Sequence, residues 1–300
     1  MEHFNVAIIG AGAAGMSAGI YAARAGKTCA IFESTFHGGQ AAFTYEIENY
    51  IGFQSISGPD LMNAFYEHTQ KFNVPFIYDG VTKIEVKTPF EIITSFSSYT
   101  ADKIIIATGA KPLELGINSE QKFKGHGVSY CATCDGSFFK GKNTVVVGGG
   151  NTAVEDALFL ADMCEKVYIV HRRDAFRADK VLVQKLLENS KIIPIWNSTI
   201  DEFIGGDSLE KAIVKNFNLD TVSEIEVSGA FIAIGNKPNS ELFKGIVEMD
   251  ENGYVITNAK METSVKGIYA AGDVRNTPLR QIITATADGA IAAVFASKYE

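Results

Sequence analysis

Cys131 and Cys134, three positions apart, carry the sharpest chemistry in this 300-residue chain. The run Cys131-Ala132-Thr133-Cys134 lets the two sulfurs meet in a small ring that opens and closes readily, which is dithiol–disulfide chemistry. The competing use of such a pair is half a zinc site. A structural zinc takes four ligands, and no second Cys/His pair stands at ligand spacing, so no metal is expected. Asp135 follows and could hold or deliver a proton when a thiolate leaves; it could equally start a turn before Gly136. Cys29, in an apolar run, and Cys164, ending a helical pattern, read as packed thiols. His3, His37, His68 and His126 have no motif around them.

A glycine pattern is the second source of chemistry, and it occurs twice. Gly10-Ala11-Gly12-Ala13-Ala14-Gly15 follows a β-rich run at 5–9, and Ala14, Ala18, Ala22 and Ala25 then recur at helical spacing. Gly26 stops that helix, and the next strand, 28–32, ends at Glu33. Gly148-Gly149-Gly150-Asn151-Thr152-Ala153 repeats the pattern between strand 144–147 and a helix lined by Val154, Leu158 and Ala161, with strand 167–170 beyond. A shift of 138 positions (148 − 10) lays Gly10 on Gly148, Gly12 on Gly150, Gly15 on Ala153 and Glu33 on His171. In such a turn the first glycine makes the bend, the second admits a pyrophosphate, and the third lets helix and strand pack closely. The phosphates then meet free N–H groups at a helix N-terminus. One motif is weak, because ordinary turns also use glycine; two in register, each opening a βαβ unit, predict two dinucleotide sites.

The residue ending the second strand sorts the ligands. Glu33 can accept from ribose hydroxyls, as in the adenosine half of FAD or NAD, and would repel a 2′-phosphate. The second copy has His171-Arg172-Arg173 there, with Arg177 four residues on. Guanidinium forks match phosphate oxygens, so this site is expected to take NADPH.

These parts need a scaffold, and the rest of the chain supplies one. The copies finish alike, 104–112 resembling 231–238, and short strands broken by turns precede each finish at 81–96 and 200–227. A third strand-and-glycine segment, 267–273, precedes a terminal helical run and has no partner domain of its own. The expected fold is α/β, with two Rossmann-like dinucleotide-binding domains, the NADPH domain inserted into the FAD domain. The discontinuous first domain spans 1–113 and 242–300; the insertion, 114–241, carries the cysteine pair. A net charge of −8, from 27 basic and 35 acidic residues, argues against a nucleic-acid partner. No apolar run approaches the roughly 18 residues of a membrane helix. Residues 1–25 lack early Lys/Arg, carry Glu2 and are broken by glycines, so they do not read as a leader, and a reducing cytoplasm is the expected location.

Together these marks resemble the bacterial-type, low-molecular-weight thioredoxin reductases of the FAD/NADPH pyridine nucleotide-disulfide oxidoreductase family. The resemblance spans essentially the whole chain and adds Gly38-Gly39-Gln40, Glu48-Asn49, Ala107-Thr108-Gly109 and Ala271-Gly272-Asp273 with Arg280-Gln281. It implies FAD contacts from Gly10, Gly12, Ala13, Ala14, Gly15, Glu33, Gly39, Gln40, Asn49, Val81, Ala107, Thr108, Gly109, Gly272, Asp273, Arg280, Gln281 and Ile282. It implies NADPH contacts from Gly148, Gly150, Asn151, Thr152, Ala153, His171, Arg172, Arg173, Arg177, Ile234 and Gly235. Further implications are catalytic roles for Cys131, Cys134 and Asp135, with Cys134 facing the flavin, a homodimer, and thioredoxin or a thioredoxin-like protein as acceptor. Since nicotinamide and disulfide must each reach one flavin, rotation of the insertion between half-reactions is expected. Ferredoxin–NADP reductases of similar architecture lack the cysteine pair, and ferredoxin-fed or oxygen-using relatives lack the nicotinamide site. The departure is small: Asn151-Thr152-Ala153 stands where Asp/Asn-Ser-Ala is more usual.

Overall fold

Small residues at the first glycine turn let helix Ala13–Arg24 lie almost backbone to backbone against the C-terminal helix Ile282–Lys298. A Cβ on Gly289 would stand 2.0 Å from the Ala14 carbonyl oxygen, and Ala18, Ala22, Ala292, Ala293 and Ala296 are buried. The Ser17 hydroxyl donates to the Thr286 carbonyl at 2.7 Å across the same contact. The computed structural model describes residues 1–44 and 46–298, so Tyr45, Tyr299 and Glu300 are outside the described residues.

The chain forms two compact units, Met1–Lys111 with Lys237–Glu300, and Pro112–Asn236. In the first, strands Phe76–Ile77, Cys29–Phe32, Glu2–Ile9 and Ser98–Ile106 run parallel in that order, and Phe90–Thr94 and Val81–Glu85 continue the sheet antiparallel. Strand Ile268–Ala270 adds to Ser98–Ile106 in parallel, setting Ile268 against Ile104, so the last segment belongs to the first sheet. Alternation sends Ile8, Ile31 and Ile105 to the face that packs the two helices, and Ile9, Phe32, Ile104 and Ile106 to the other face, which is also buried. A parallel sheet covered on both faces explains why these strands read as continuous apolar runs.

The second unit repeats the plan. Parallel strands run in the order Ile192–Ile195, Lys166–Val170, Asn143–Gly148, Gly229–Ala233, Val128–Ser129. Strands Ser198–Gly205, Leu209–Asn216 and Thr221–Glu226 form a separate antiparallel sheet, the excursion that the turn-broken sequence predicts. The chain crosses between units twice, and the strands at the crossings, Ala110–Pro112 and Asn236–Pro238, pair with each other. Phe243 and Val247, just past the second crossing, are buried in the first unit's core. They draw the return of the chain to Asn236/Lys237.

Candidate functional site

In the first unit, backbone geometry explains each glycine of the turn. Gly10 has φ +110°, and a Cβ there would lie 2.3 Å from the Ala107 carbonyl oxygen; one on Gly15 would lie 1.9 Å from the Gly10 carbonyl oxygen. Gly12 is different. It is extended, it precedes helix Ala13–Arg24 without a side-chain cap or an acidic first turn, and nothing lies within 4 Å of its Cβ position. The helix start therefore has no side-chain cap, and the space at the Gly12 Cβ position is open.

Residues far apart in sequence converge on that turn. The Ala11 N–H donates to Glu33 Oε2 at 3.0 Å, while Glu33 Oε1 accepts from the N–H groups of Ser34 and Thr35. Gly38 N–H donates to the Ala11 carbonyl, and the Gly39 Cβ position is 3.4 Å from the Gly12 Cα. That of Gly272 is 3.0 Å from the Ala14 Cβ. Asn49 Nδ2 donates to Gln281 Oε1 at 3.1 Å, joining two candidate contacts 232 positions apart. Ile282 opens the C-terminal helix, Gln40 is exposed in the turn Gly39–Phe43, and Val81 begins a hairpin strand opposite Thr94. Thr108 and Gly109 are clamped by Asn239: Thr108 Oγ1 donates to its carbonyl, its amide donates to the Thr108 carbonyl, and its N–H donates to the Gly109 carbonyl. No motif marked Asn239, whose only signal is its place just after Lys237-Pro238.

Asp273 and Arg280 test whether a polar ligand fits here. Asp273 Oδ1 and Arg280 Nε are buried without a hydrogen-bond partner among the described residues. Burial raises the Asp273 carboxyl to about 6, against the opposing pull of Arg280 and with Asp288 adding to the rise. Buried polar atoms are normally paired, so these two orphans, one of them next to Gly272, which packs on the glycine-turn helix, suit a polar ligand.

The second unit builds a matching turn with different accessories. A Cβ on Gly148 would lie 2.3 Å from the Ala233 carbonyl oxygen, the counterpart of Gly10 on Ala107. Gly150 precedes helix Asn151–Ala161 uncapped, with no acid in the first turn and nothing within 4 Å of its Cβ position. Ala153 fills the place of Gly15 and is fully buried, Thr152 is exposed, and Ile234-Gly235 follow the strand beside the turn. His171 does not face solvent: it is 5% exposed, its ring would be 2.2 Å from a Cβ on Gly149, and it packs near Phe176 and Trp196. Burial lowers its pKa, and Arg177, Arg173 and Arg172 add to the effect, which favours the neutral ring. Arg172, Arg173 and Arg177 are exposed, and none lies within 4.0 Å of a carboxylate among the described residues.

Cys131 and Cys134 form a disulfide with Cα atoms 5.3 Å apart, at the start of the short helix Ala132–Asp135. That helix rests on the nucleotide-turn helix: Ala132 is buried with Val154, Ala157 and Leu160, and a Cβ on Gly136 would meet Leu160 at 3.0 Å. Ser129 braces the pair, accepting from the Cys131 N–H at 3.1 Å and donating to Asp135 Oδ2 at 2.6 Å. Burial raises the Asp135 pKa above the ordinary value, partly offset by the Ser129 bond, so its carboxyl can hold a proton closer to neutrality. No group of His, Cys, Asp and Glu suited to a metal occurs among the described residues.

Residues 4–289 match the family model described as pyridine nucleotide-disulphide oxidoreductase. The chain belongs to the pyridine nucleotide-disulphide oxidoreductase family. Within it, the chain is 46% identical over 302 residues to a thioredoxin reductase of Rickettsia conorii, covering 98% of this chain and 97% of that one. It is 44% identical to a thioredoxin reductase of Bacillus subtilis, covering 99% and 94%. The crystal structure of thioredoxin reductase from Streptococcus pyogenes superposes with a TM-score of 0.94 at 43% identity, covering 98% and 97%. As a pyridine nucleotide-disulphide oxidoreductase, the chain is an oxidoreductase whose redox-active centre is the Cys131–Cys134 disulfide.

Proposed function

We propose that the protein is a thioredoxin-disulfide reductase that passes electrons from NADPH through FAD to Cys131–Cys134 and then to thioredoxin or a thioredoxin-like protein. The observation that carries this reading is a reducible disulfide, braced by Ser129 and Asp135, resting on the helix of a dinucleotide turn flanked by three exposed arginines. The likeness to thioredoxin reductases along nearly the whole chain supports it.

The first unit would hold FAD. Its diphosphate would meet the N–H groups beyond Gly12, Glu33 would take the adenosine ribose, and Asp273, Arg280, Gln281 and Asn49 would take the ribityl and flavin end. FAD supplies a carrier that accepts an electron pair as hydride and releases it to a disulfide. The second unit would hold NADPH, with its diphosphate before Gly150 and the 2′-phosphate among Arg172, Arg173 and Arg177.

The remaining chemistry belongs to the chain. Two electrons and one proton open the Cys131–Cys134 bond to a thiol and a thiolate, and Asp135 supplies the proton through its raised pKa. The thiolate attacks the partner's disulfide, expelling one partner sulfur as thiolate; the second cysteine, returning its proton to Asp135, then attacks the mixed disulfide, restores the Cys131–Cys134 bond and releases the other partner sulfur as thiolate. Serving NADPH, flavin and an outside partner from one insertion requires that unit to rotate about its two crossings near Lys111/Pro112 and Asn236/Lys237. A homodimer, which the family resemblance implies, working in a reducing cytoplasm completes the proposal. Purified protein given NADPH and a disulfide dye, with and without thioredoxin, tests the reading. A yellow protein that reduces dye only when thioredoxin is present is expected; a colourless one, or turnover indifferent to thioredoxin, refutes it.

A further inference from the structure

The arginine-bearing segment after strand Lys166–Val170 is tied to the glycine turn at three places. At its start, the His171 ring fills the space over Gly149. In its middle, the Arg177 N–H donates to the Gly149 carbonyl at 2.7 Å. At its end, Asn151 and Asp179 hold each other reciprocally: Asn151 Nδ2 donates to Asp179 Oδ2 at 3.1 Å, and the Asp179 N–H donates to Asn151 Oδ1 at 2.8 Å. The first two ties do not reach the segment's far end, where it turns into helix Lys180–Glu188. The third closes it. Asn151 is the first residue of the helix whose N-terminus would meet the diphosphate, so the clasp and the Arg177–Gly149 bond together tie the arginine segment to the turn before that helix and to its first residue.

Asp179 is out of place by charge alone. A carboxylate two residues from Arg177, beside an expected anion site, repels phosphate. It also leaves its own helix uncapped, since the Asp179 side chain makes no cap hydrogen bond to helix Lys180–Glu188. Its acceptor oxygen goes to Asn151 instead. Long exposed arginines lose rotamer freedom when they grip a ligand, and a preset backbone lowers that cost.

We infer that Asp179 is a positioning residue for cofactor selection: through Asn151 it presents the arginine segment to the 2′-phosphate and so sharpens the preference for a 2′-phosphorylated adenosine. The inference rests on the NADPH reading above. What the clasp needs from Asp179 is an acceptor oxygen, not a charge. Asp179→Asn and Asp179→Ala both remove the charge, and only Asp179→Ala removes the acceptor, so their comparison isolates the clasp.

The test is calorimetric binding of 2′,5′-ADP and of 5′-AMP to the full-length flavin-loaded protein and both variants, with KM for NADPH and NADH measured alongside. Asp179→Ala should bind 2′,5′-ADP about fivefold more weakly than Asp179→Asn does, the size of one neutral hydrogen bond. Their 5′-AMP affinities should agree within about twofold, and KM for NADPH should move while kcat does not. Equal 2′,5′-ADP binding by the two variants overturns the inference. So does an equal weakening of both ligands, which would make the clasp a general support of the turn. An unsubstituted protein that binds 2′,5′-ADP no better than 5′-AMP overturns the NADPH reading itself, and the clasp inference with it.

Discussion

Gly12→Ala and Gly15→Ala, two like substitutions three residues apart, should fail in opposite ways. At Gly12 the backbone is extended, φ −79° and ψ −173°, a conformation alanine adopts freely, and nothing stands within 4 Å of the new methyl. Alanine restricts the unfolded chain, worth about 0.4–1 kcal/mol of stability, and is a poorer N-cap than glycine by a similar amount. The two nearly cancel, so the flavin-free Gly12→Ala protein should unfold within about 0.5 kcal/mol of its parent. Its methyl, however, would stand in the open space that the proposed FAD site gives to the diphosphate. Losing one or two charged hydrogen bonds, at about 1.5–3 kcal/mol each, weakens FAD by tenfold or more. At Gly15 the methyl would meet the Gly10 carbonyl oxygen at 1.9 Å, backbone against backbone with no side chain to yield. That should cost about 3 kcal/mol or more of stability whether or not FAD is present. The assay is guanidinium unfolding of flavin-free protein, paired with fluorescence titration of FAD. A Gly12→Ala protein that loses several kcal/mol, or that retains FAD normally, refutes the reasoning.

Three further outcomes follow from the same sites. Replacing Arg172, Arg173 and Arg177 with uncharged residues should raise KM for NADPH by about two to three decades and leave NADH almost unchanged; equal shifts for both cofactors would remove these arginines from the 2′-phosphate. Cys131→Ser or Cys134→Ser should abolish thioredoxin reduction while NADPH still bleaches the flavin in a stopped-flow trace, and residual thioredoxin turnover in either would mean electrons leave elsewhere. Asp273 has a folded pKa of about 6, above its unfolded value, so the native state binds the extra proton and loses stability as pH rises from about 4 to 6. Flavin-free Asp273→Asn should therefore be more stable than its parent at pH 7.5 by up to about 3 kcal/mol, with the gap closing near pH 4; a gap independent of pH contradicts the shift.

The sequence alone determined what depends on local spacing. The tight bends at Gly10 and Gly148, the helices opening at Ala13 and Asn151, and the cysteine pair are legible because turn, helix period and ring closure act within a few residues. The family follows from the same marks. Tertiary structure decided what depends on distant partners. His171, aligned with Glu33 by the repeat, is buried over Gly149; its ring fits only because that position lacks a side chain, a fact no spacing reveals. Asn239 clamps Thr108 across 131 positions, and Asn49 meets Gln281 across 232. Asp179 carried no signal, since an aspartate after Arg177-Ala178 reads as an ordinary solvated charge. Hydrogen bonds and excluded volume act over about 3 Å in space whatever the separation along the chain. Motifs therefore announce the chemistry, and only the folded chain shows which side chains hold it in place.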